Sequence, residues 1–375
     1  MQPKIKVLHL IKSLGRGGAE MLLPETLRLH DQAKFEFHYI YFLPWKDAMV
    51  DAIRSQGARV TCLAANNNVQ LIARAKAVAN YIRDHQIALV HAHLPWAGIV
   101  ARLVGKMTGV PVIYTEHNKQ ERYHFATRWM NLATMNWLRR VIAVSEDVEQ
   151  SILKHKPKLR PPVQTVLNGV NTERFAPGLF EPSAIRSALK IPDHAAVIGT
   201  IAVFRFQKRL DLWIDIAKRI LAQKPDTHFI IVGDGPLKEL LHIKQTEHGL
   251  ENNLHFVGVQ VEVRPYLASF DLYMMSSIFE GLPIALLEAM ASGCAVISTD
   301  AGGIKEVIRN ERDGLVCSVD DPFRLVDFAV ELITNKEKRK TLAANGRTRV
   351  MESFSMVKMV KELEEIYTLE TGARA

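Results

Sequence analysis

The sequence predicts an α/β protein that contains two doubly wound domains. Short apolar segments rich in β-branched residues alternate with amphipathic segments along the chain, which is typical of parallel sheets covered by helices on both faces. The length of 375 residues exceeds what one hydrophobic core usually serves. A loop-rich stretch that contains Pro161-Pro162 and Pro177-Gly178 separates two such series, so we expect the domain boundary within 165–178.

Each series contains six strand candidates with helical patterns between them. In the first series the candidates are residues 4–11, 35–42, 58–63, 87–91, 111–115 and 140–144. In the second they are residues 196–203, 227–232, 253–257, 270–275, 294–298 and 314–317. From Asp321 onward the pattern is purely helical. Ligands of such sheets bind outside the carboxyl ends of the strands, so two domains facing each other would suit a transfer between two ligands.

The composition excludes several classes of protein. Apolar residues make up 48% and charged residues 23%, an ordinary globular mixture. No stretch reaches the roughly eighteen apolar residues of a membrane span, and the segment before Ile11, interrupted by His9, is too short for a signal peptide. Cys62, Cys294 and Cys317 are widely spaced and form no CxxC pair, which favours a cytoplasmic location and argues against disulfides or a zinc site.

The positive charge is concentrated in the first half of the chain. Residues 1–165 carry 23 Lys and Arg against 12 Asp and Glu, whereas the remainder carries 25 against 28. Such a basic half indicates either an acidic partner or charge that serves solubility alone. Nucleic acid is not expected, because the chain has no recognised nucleic-acid-binding motif.

The most informative segment runs from Phe279 to Gly293 and reads FEGLPIALLEAMASG. Pro283 suits the first turn of a helix, whose free N–H groups offer a site for phosphate or sugar oxygens. Gly281 lets a ligand approach the backbone closely. Glu288 lies in an apolar run, where a carboxylate is costly unless it is paired, and Glu280 precedes it by eight residues. Taken alone, the two glutamates would indicate a structural carboxylate and an exposed loop acid.

Further short motifs change that interpretation because they occur in a set order along nearly the whole chain. They are Gly-Gly-Ala-Glu at 17–20, His-Ala-His at 91–93, Thr-Glu-His at 115–117, Val-Ser-Glu at 144–146, Asn-Gly-Val-Asn at 168–171, Gly-Asp-Gly-Pro at 233–236 and Gly-Gly at 302–303. Together with the Glu-x7-Glu spacing, this order resembles the retaining glycosyltransferases of GT-B fold, family four (the glycosyl transferases group 1 type).

The resemblance implies two Rossmann-like domains that face each other across a cleft. Residues 1–167 would bind the acceptor, residues 168–354 would bind the nucleotide-sugar donor, and a last helix at 355–373 would cross back onto the first domain. In the family, the glutamate that matches Glu288 binds the ribose hydroxyls of the donor, and the one that matches Glu280 lies by the donor sugar. We place Gly281 and Leu282 in the same donor-binding segment.

The loop after the strand at 196–203 resembles the family's phosphate-binding loop, in which an arginine and a lysine hold the diphosphate. An ungapped match places Lys208 on the family lysine but Val203 on the family arginine. Arg205, two residues further on, is our candidate for the missing charge, and Arg209 is a weaker one. A surface cluster of basic residues is the alternative, although a helix dipole disfavours cations at a helix start.

The first loop of the chain, Ser13 to Glu20, follows a strand and opens a helix. A GxGxxG dinucleotide fingerprint fails here, because Glu20 occupies the position of its last glycine. The resemblance places the backbone of Gly17 and Gly18 beside the donor diphosphate, with Arg16 on the acceptor side. A tight turn without a ligand is the alternative.

Two histidines, His93 and His117, end consecutive strand candidates. His117 matches the family histidine that contacts the transferred sugar, and we place His93 on the acceptor side. Neither histidine forms a metal cluster with nearby acids, and the chain has no Asp-x-Asp motif. We therefore predict no metal, with the leaving diphosphate neutralised by Lys208 and the helix start.

Residues 119–140 combine five basic side chains with Tyr123, Phe125, Trp129 and Trp137. A basic, aromatic helix of this kind lies on a membrane surface or packs on the core with a solvated basic face. The first alternative would bring the protein to the inner face of the membrane.

These observations predict a metal-independent, retaining glycosyltransferase of hexosyltransferase type. It would move a sugar from an NDP-sugar, with UDP or GDP as the expected nucleotide and no other cofactor. The acceptor hydroxyl would belong to an anionic or lipid-linked molecule in polysaccharide, lipopolysaccharide or glycolipid synthesis. The alternatives are a sugar-nucleotide epimerase, a phosphorylase, for which no pyridoxal-binding lysine is evident, and a nucleotide-sugar-binding scaffold without catalysis.

Overall fold

The computed structural model describes residues 3–372, and the chain divides into two compact units. The first unit contains the chain up to Asn168 together with the segment from Met356 onward, and the second contains Gly169–Ser355. The predicted domains begin at residue 1 and the predicted last helix ends at 373, and both of these residues lie outside the described range. Each unit is one parallel sheet with helices around it, so the predicted α/β class with two doubly wound domains is confirmed.

The first unit has seven strands and eight α-helices within the described residues. The strands are β1 Ile5–Leu10, β2 Phe35–Tyr41, β3 Arg59–Cys62, β4 Leu89–His93, β5 Val112–Glu116, β6 Arg140–Ala143 and β7 Val163–Thr165. The helices are α1 Gly18–Leu27, α2 Val50–Arg54, α3 Asn68–Ala73, α4 Ala75–His85, α5 Pro95–Thr108, α6 Phe125–Thr134, α7 Glu146–His155 and the chain-terminal α16 Met356–Thr371. Short 3-10 turns lie at Gln120–Arg122 and Met135–Trp137.

The second unit has six strands and eight α-helices. The strands are β8 Ala196–Ile201, β9 Thr227–Val232, β10 Leu254–Phe256, β11 Leu272–Met275, β12 Ala295–Thr299 and β13 Leu315–Cys317. The helices are α8 Pro182–Ala188, α9 Leu210–Gln223, α10 Lys238–Glu247, α11 Arg264–Ser269, α12 Ile284–Ala291, α13 Ile304–Val307, α14 Arg324–Thr334 and α15 Lys336–Ser353. A 3-10 turn at Phe206–Lys208 precedes α9.

Both sheets are doubly wound. The strand order is β3-β2-β1-β4-β5-β6-β7 in the first unit and β10-β9-β8-β11-β12-β13 in the second, and every strand pair is parallel. The winding direction therefore reverses between β1 and β4 in one sheet and between β8 and β11 in the other. In sheets of this kind, such a switch point opens the crevice in which ligands bind.

All twelve predicted strands are present, with ends shifted by at most two residues. The near-continuous apolar runs are buried because helices pack on both faces of each sheet. The sequence pattern missed β7, a three-residue strand at the sheet edge, because three residues are too few to show a period.

The helix α16 packs on the first unit's sheet although it lies at the other end of the sequence. It contacts β1 and β4, and Leu363, Ile366 and Tyr367 join the apolar cluster on that face. None of the helices within residues 3–372 is both long and apolar enough to cross a membrane.

Candidate functional site

The sequence-predicted site residues gather at the switch point of each sheet. In the first unit they follow β1 and β5 or end β4, and in the second they follow β8 and β11. Because parallel strands end at the same edge, residues that are distant in the sequence meet there.

In the second unit, Lys208 and Glu280 form an ion pair. The Lys208 Nζ lies 2.6 Å from Glu280 Oε1, and both side chains are largely buried, with 20% and 10% of their surface exposed. The hydroxyl of Ser277 donates to the same carboxylate oxygen at 2.6 Å. The lysine is thus held at the end of β8 by a carboxylate from the end of β11, which fixes where its charge stands.

Hydrogen bonds between the two loops explain why this pair forms. The hydroxyl of Ser276 donates to the carbonyls of Lys208 and Arg209 at 3.0 and 2.9 Å, and the N–H of Ile278 donates to the carbonyl of Gln207 at 3.0 Å. Arg209 takes a left-handed conformation with φ of 48°, which turns the chain from the 3-10 turn into α9. The loops after β8 and β11 therefore form one connected structure.

The Gly-Asp-Gly-Pro motif supports the loop after β8 from the other side. The N–H of Phe204 donates to the carbonyl of Asp234 at 3.0 Å. At Gly233, where φ is 133°, an added Cβ would stand 1.9 Å from the carbonyl oxygen of Ala202. The motif therefore requires glycine because two backbones approach each other closely.

Arg205 lies at the start of the 3-10 turn and is exposed. Among the described residues it has no ion-pair partner, which distinguishes it from Lys208. Val203, at the family's arginine position, is also exposed, with 37% of its surface accessible. The structure thus places Arg205 on the same loop as Lys208, as an exposed residue.

The segment after β11 places the remaining donor-side residues. Glu280 and Gly281 lie in the loop, Leu282 is buried, and α12 begins at Ile284 after Pro283, which is the N-cap rather than the first helical residue. Glu288 is 7% exposed and lies within α12.

Tyr273 on β11 shows that both glutamates lie near one point of this strand. Burial chiefly raises the pKa of Tyr273, and the nearby carboxylates of Glu288 and Glu280 raise it further. Both carboxylates therefore lie near Tyr273, which pairs with Gly199 of β8 in the sheet.

In the first unit, the loop after β1 leads into α1. Gly17 is the N-cap of α1 with extended backbone, Gly18 is its first residue, and Arg16 is exposed. The hydroxyl of Ser13 donates to Glu20 Oε1 at 2.9 Å. The carboxylate of Glu20 therefore folds back against the loop, an arrangement that the failed glycine pattern did not predict.

The first unit's switch point contains four histidines, of which the sequence analysis selected two. His91 and His93 are two residues apart on β4, so their side chains point to the same face of the sheet. The β1–β4 register pairs His9 with His91. His9 Nδ1 lies 3.0 Å from His93 Nε2, and His93 Nδ1 lies 3.3 Å from His117 Nε2. We call His9, His91, His93 and His117 the histidine cluster.

Hydroxyl groups complete the hydrogen bonding of His91. Its Nδ1 lies 2.8 Å from the Tyr367 hydroxyl of α16, and its Nε2 lies 2.6 Å from Thr115 Oγ1 on β5. His9, His91 and His93 are at most 5% exposed. The His-Ala-His motif is therefore a buried feature of the sheet, and His93 does not lie on an open surface.

The histidine cluster is uncharged near neutral pH. Burial lowers the pKa of His9 to about 3 and that of His117 to about 4. Burial and the neighbouring imidazoles lower the pKa values of His91 and His93 well below the usual range. Four adjacent imidazoles can share one buried site because all four are neutral and so do not repel one another.

Three of these rings also meet the distance requirement of a metal site. One nitrogen from each of His9, His91 and His93 lies within 4.8 Å of the others. The sequence prediction rested on histidines combined with acids and so missed this group, which contains no acid. The absence of a metal remains a prediction, and the 3.0 Å contact between His9 and His93 already satisfies one nitrogen of each ring.

Glu116 is a further buried residue to which the sequence analysis assigned no role. It is fully buried at the end of β5 and accepts hydrogen bonds from Tyr114, Gln120, Tyr123 and Asn131, and from the backbone N–H groups of residues 117 and 118. Burial raises its pKa despite these donors. Glu116 thus holds the backbone on which His117 stands. The sequence signal that could have identified Glu116 was its position next to His117 in the Thr-Glu-His motif.

Among the cavities of the described residues, two differ greatly in size. One, of about 20 Å³, is enclosed by α1, α16 and the strand ends and is lined by His9, His91, His93 and His117. The other, of about 900 Å³, lies between α9 and α14. No predicted site residue lines the larger one, so its size alone does not mark it as the functional site.

Two family models match the chain. The model described as glycosyl transferases group 1 matches residues 183–349, and the model described as glycosyltransferase family 4 matches residues 16–174. Together they cover most of the second unit and most of the first.

Curated relatives match over nearly the whole chain. An Escherichia coli UDP-Gal:alpha-D-GlcNAc-diphosphoundecaprenol alpha-1,3-galactosyltransferase is 24% identical over 379 residues, covering 97% of each chain. The Bacillus anthracis N-acetyl-alpha-D-glucosaminyl L-malate synthase is 28% identical over 307 residues, covering 79% of this chain and 78% of that one.

Solved structures share the fold. Anabaena Alr3699/HepE, crystallised with UDP and glucose, superposes with a TM-score of 0.87 at 21% identity, covering 97% of this chain and 100% of that one. A Thermosynechococcus elongatus sucrose-phosphate synthase superposes with a TM-score of 0.82 at 18% identity, covering 98% and 100%. The fold is therefore GT-B, and the chain belongs to the group 1 glycosyltransferases of family 4 type, enzymes that transfer sugars.

Proposed function

We propose that this glycosyltransferase moves a sugar from an NDP-sugar to an acceptor hydroxyl with retention at the anomeric carbon, in the synthesis of a cell-surface polysaccharide or glycolipid. The observation that carries the proposal is the Lys208–Glu280 pair at the β8–β11 switch point. A largely buried lysine at this position supplies a fixed positive charge where a leaving diphosphate needs one. The relatives support the donor class, since HepE was crystallised with UDP-glucose.

The donor would be held by the second unit. Glu288 would bind the ribose hydroxyls, Lys208 and Arg205 the diphosphate, and Gly281 with Leu282 would line the sugar end. The hydrogen bonds that connect the loops after β8 and β11 support these roles, because groups that are already fixed need little reorganisation during the reaction. UDP and GDP are the nucleotides we expect.

The first unit would supply the acceptor side and a contact to the transferred sugar. His117 would contact the sugar, while Gly17, Gly18 and Arg16 would border the diphosphate and the acceptor. In the transfer, the bond from the anomeric carbon to the diphosphate breaks and a bond to the acceptor oxygen forms. The acceptor proton would pass to the departing diphosphate, and we assign no protein nucleophile.

The acceptor would be anionic or lipid-linked, and α6 would approach the membrane. Phe125 and Trp129 of this helix are 70% and 64% exposed, and Asn131 is its one fully buried residue, which favours the surface alternative over a core helix. Not all of the basic charge of 119–140 is available, since Lys119 pairs with Asp147, and Arg139 and Arg140 pair with Glu370. The aromatic side chains would therefore contribute more than the sequence suggested.

The test is a transfer assay with UDP- and GDP-sugars and an undecaprenyl-linked acceptor, with product configuration read by proton NMR. We expect an α-linked product from an α-linked donor, and transfer in EDTA within about twofold of the untreated rate. A β-linked product would exclude retention, and loss of transfer in EDTA with rescue by Mn²⁺ would exclude metal independence. Donor rearrangement without an acceptor would identify an epimerase instead.

A further inference from the structure

The histidine cluster contains a continuous hydrogen-bonded chain of three rings. It runs from His9 through His93 to His117, with donor–acceptor distances of 3.0 and 3.3 Å. His9 and His93 are buried, whereas His117 is partly exposed at the end of β5. The row of hydrogen-bonded rings therefore links the interior of the sheet to the edge at which ligands of such sheets bind.

Each neutral imidazole carries one N–H and one bare nitrogen, so the rings of such a chain cannot choose their tautomers independently. If His9 is protonated on Nδ1, it donates to His93 Nε2, and His93 donates through Nδ1 to His117 Nε2. His117 then carries its proton on Nδ1. If His9 is protonated on Nε2, every bond reverses and His117 carries its proton on Nε2, with a bare Nδ1.

The surroundings of His9, at the inner end of this row of rings, decide between the two sets of tautomers. The Nε2 of His9 is buried and has no hydrogen-bond partner among residues 3–372. An N–H at this position would be an orphaned buried donor, which folded proteins avoid more strictly than an unpaired acceptor. The proton of His9 therefore belongs on Nδ1, where His93 accepts it.

His91 leaves this direction unchanged. Both of its ring nitrogens face hydroxyl groups, Tyr367 and Thr115, and a hydroxyl can either donate or accept. His91 can thus adopt either tautomer without disturbing its neighbours, and it fills the space beside the chain.

We propose that His9 and His93 are positioning residues that hold His117 in the Nδ1–H tautomer, so that His117 meets its ligand as a hydrogen-bond donor and not as a base. The inference rests on the proposed function only for the identity of that ligand, an oxygen of the transferred sugar. A donor at this position cannot take the acceptor's proton, which leaves the departing diphosphate to receive it.

The direct test needs no substrate and therefore stands apart from the proposed function. Long-range ¹H–¹⁵N spectra of protein labelled with ¹⁵N-histidine report which nitrogen of each ring carries the proton. His117→Gln, His93→Gln and His9→Asn assign the signals, and exposed His194 serves as the unconstrained reference. We expect Nδ1–H for His9, His93 and His117 at neutral pH. An Nε2–H pattern at His117, or nitrogen shifts that indicate a bound metal, would overturn the proposal.

A matched pair of variants tests the consequence for catalysis. His9→Asn keeps a donor near the position of Nδ1, whereas His9→Leu removes it. We expect His9→Leu to lower kcat by about tenfold with the donor KM within about twofold, and His9→Asn to recover most of the loss. Equal losses in both variants, with equal melting temperatures, would show that His9 acts through packing alone.

Discussion

The switch points of the two sheets gather side chains of different charge at the same place in the fold. The first unit gathers four neutral imidazoles in the sheet interior, with pKa values held low by burial. The second unit gathers charges, with Lys208 paired to Glu280 and Arg205 open to solvent. We therefore expect the first unit to supply oriented hydrogen bonds and the second to supply the positive charge for a diphosphate.

The charged side of this comparison predicts the largest effect. Lys208→Ala should lower kcat about 100- to 1000-fold, because it removes a fixed charge from the site of charge development. The matched control is Lys340→Ala, which removes a lysine from the exposed pair with Glu337 and should leave kcat within about twofold. A Lys208→Ala variant of near wild-type rate would place the diphosphate elsewhere.

Glu288 predicts the next largest effect, at the nucleotide end of the proposed donor site. Glu288→Ala should weaken donor binding by about ten- to one-hundredfold through loss of charge-assisted hydrogen bonds of roughly 1.5–3 kcal/mol. Isothermal titration with UDP and GDP measures this, with the exposed Glu337→Ala as control. Unchanged affinity in a folded variant would remove Glu288 from the donor site.

The neutral histidine cluster of the first unit predicts that the free energy of unfolding depends on pH. The pKa of His9 is lowered from 6.5 to about 3 in the folded state, so between these values the unfolded chain binds a proton that the folded chain does not. The stabilisation is therefore complete above pH 6.5 and falls as the pH drops toward 3, by about 1.4 kcal/mol per pH unit for each such group.

Urea unfolding between pH 7 and 5 measures this slope. His9→Asn should be less pH-sensitive than wild type by about one proton, because the variant lacks that titrating group. An identical slope in both proteins would mean that His9 is protonated in the folded state, contrary to the neutral cluster.

Arg205 predicts the smallest effect. Arg205→Ala should reduce diphosphate affinity several-fold, since an exposed charge is partly screened by solvent. Val203→Arg in the same background, which restores the family's arginine position, should recover affinity. Titration with UDP at 0.05 and 0.5 M NaCl gives both results. A loss larger than that of Lys208→Ala would make Arg205 the principal anchor and our ungapped match wrong.

The fold was largely predictable because its signal is repeated along the chain. Each buried strand is a short apolar run, and twelve such runs with helices between them leave little freedom in the fold class. The three-residue β7 carried too little pattern to be found.

The site was predictable only in part. Motif spacing selected Lys208, Glu280 and Glu288 as candidates, but strand order cannot be read from spacing. It is strand order that brings His9 of β1 beside His91 of β4, and α16 that brings Tyr367 to the same face. The histidine cluster therefore emerged only from the structure.

The assignment of the diphosphate to Lys208 is tested most directly by comparing nucleotides that differ by one phosphate. We would titrate wild type and Lys208→Ala with UDP and UMP, or with GDP and GMP if guanine binds. The account predicts that Lys208→Ala weakens diphosphate binding at least tenfold while monophosphate affinity changes less than about twofold. Equal losses for both nucleotides would contradict it, because Lys208 would then stabilise the pocket in general and not hold the leaving phosphate.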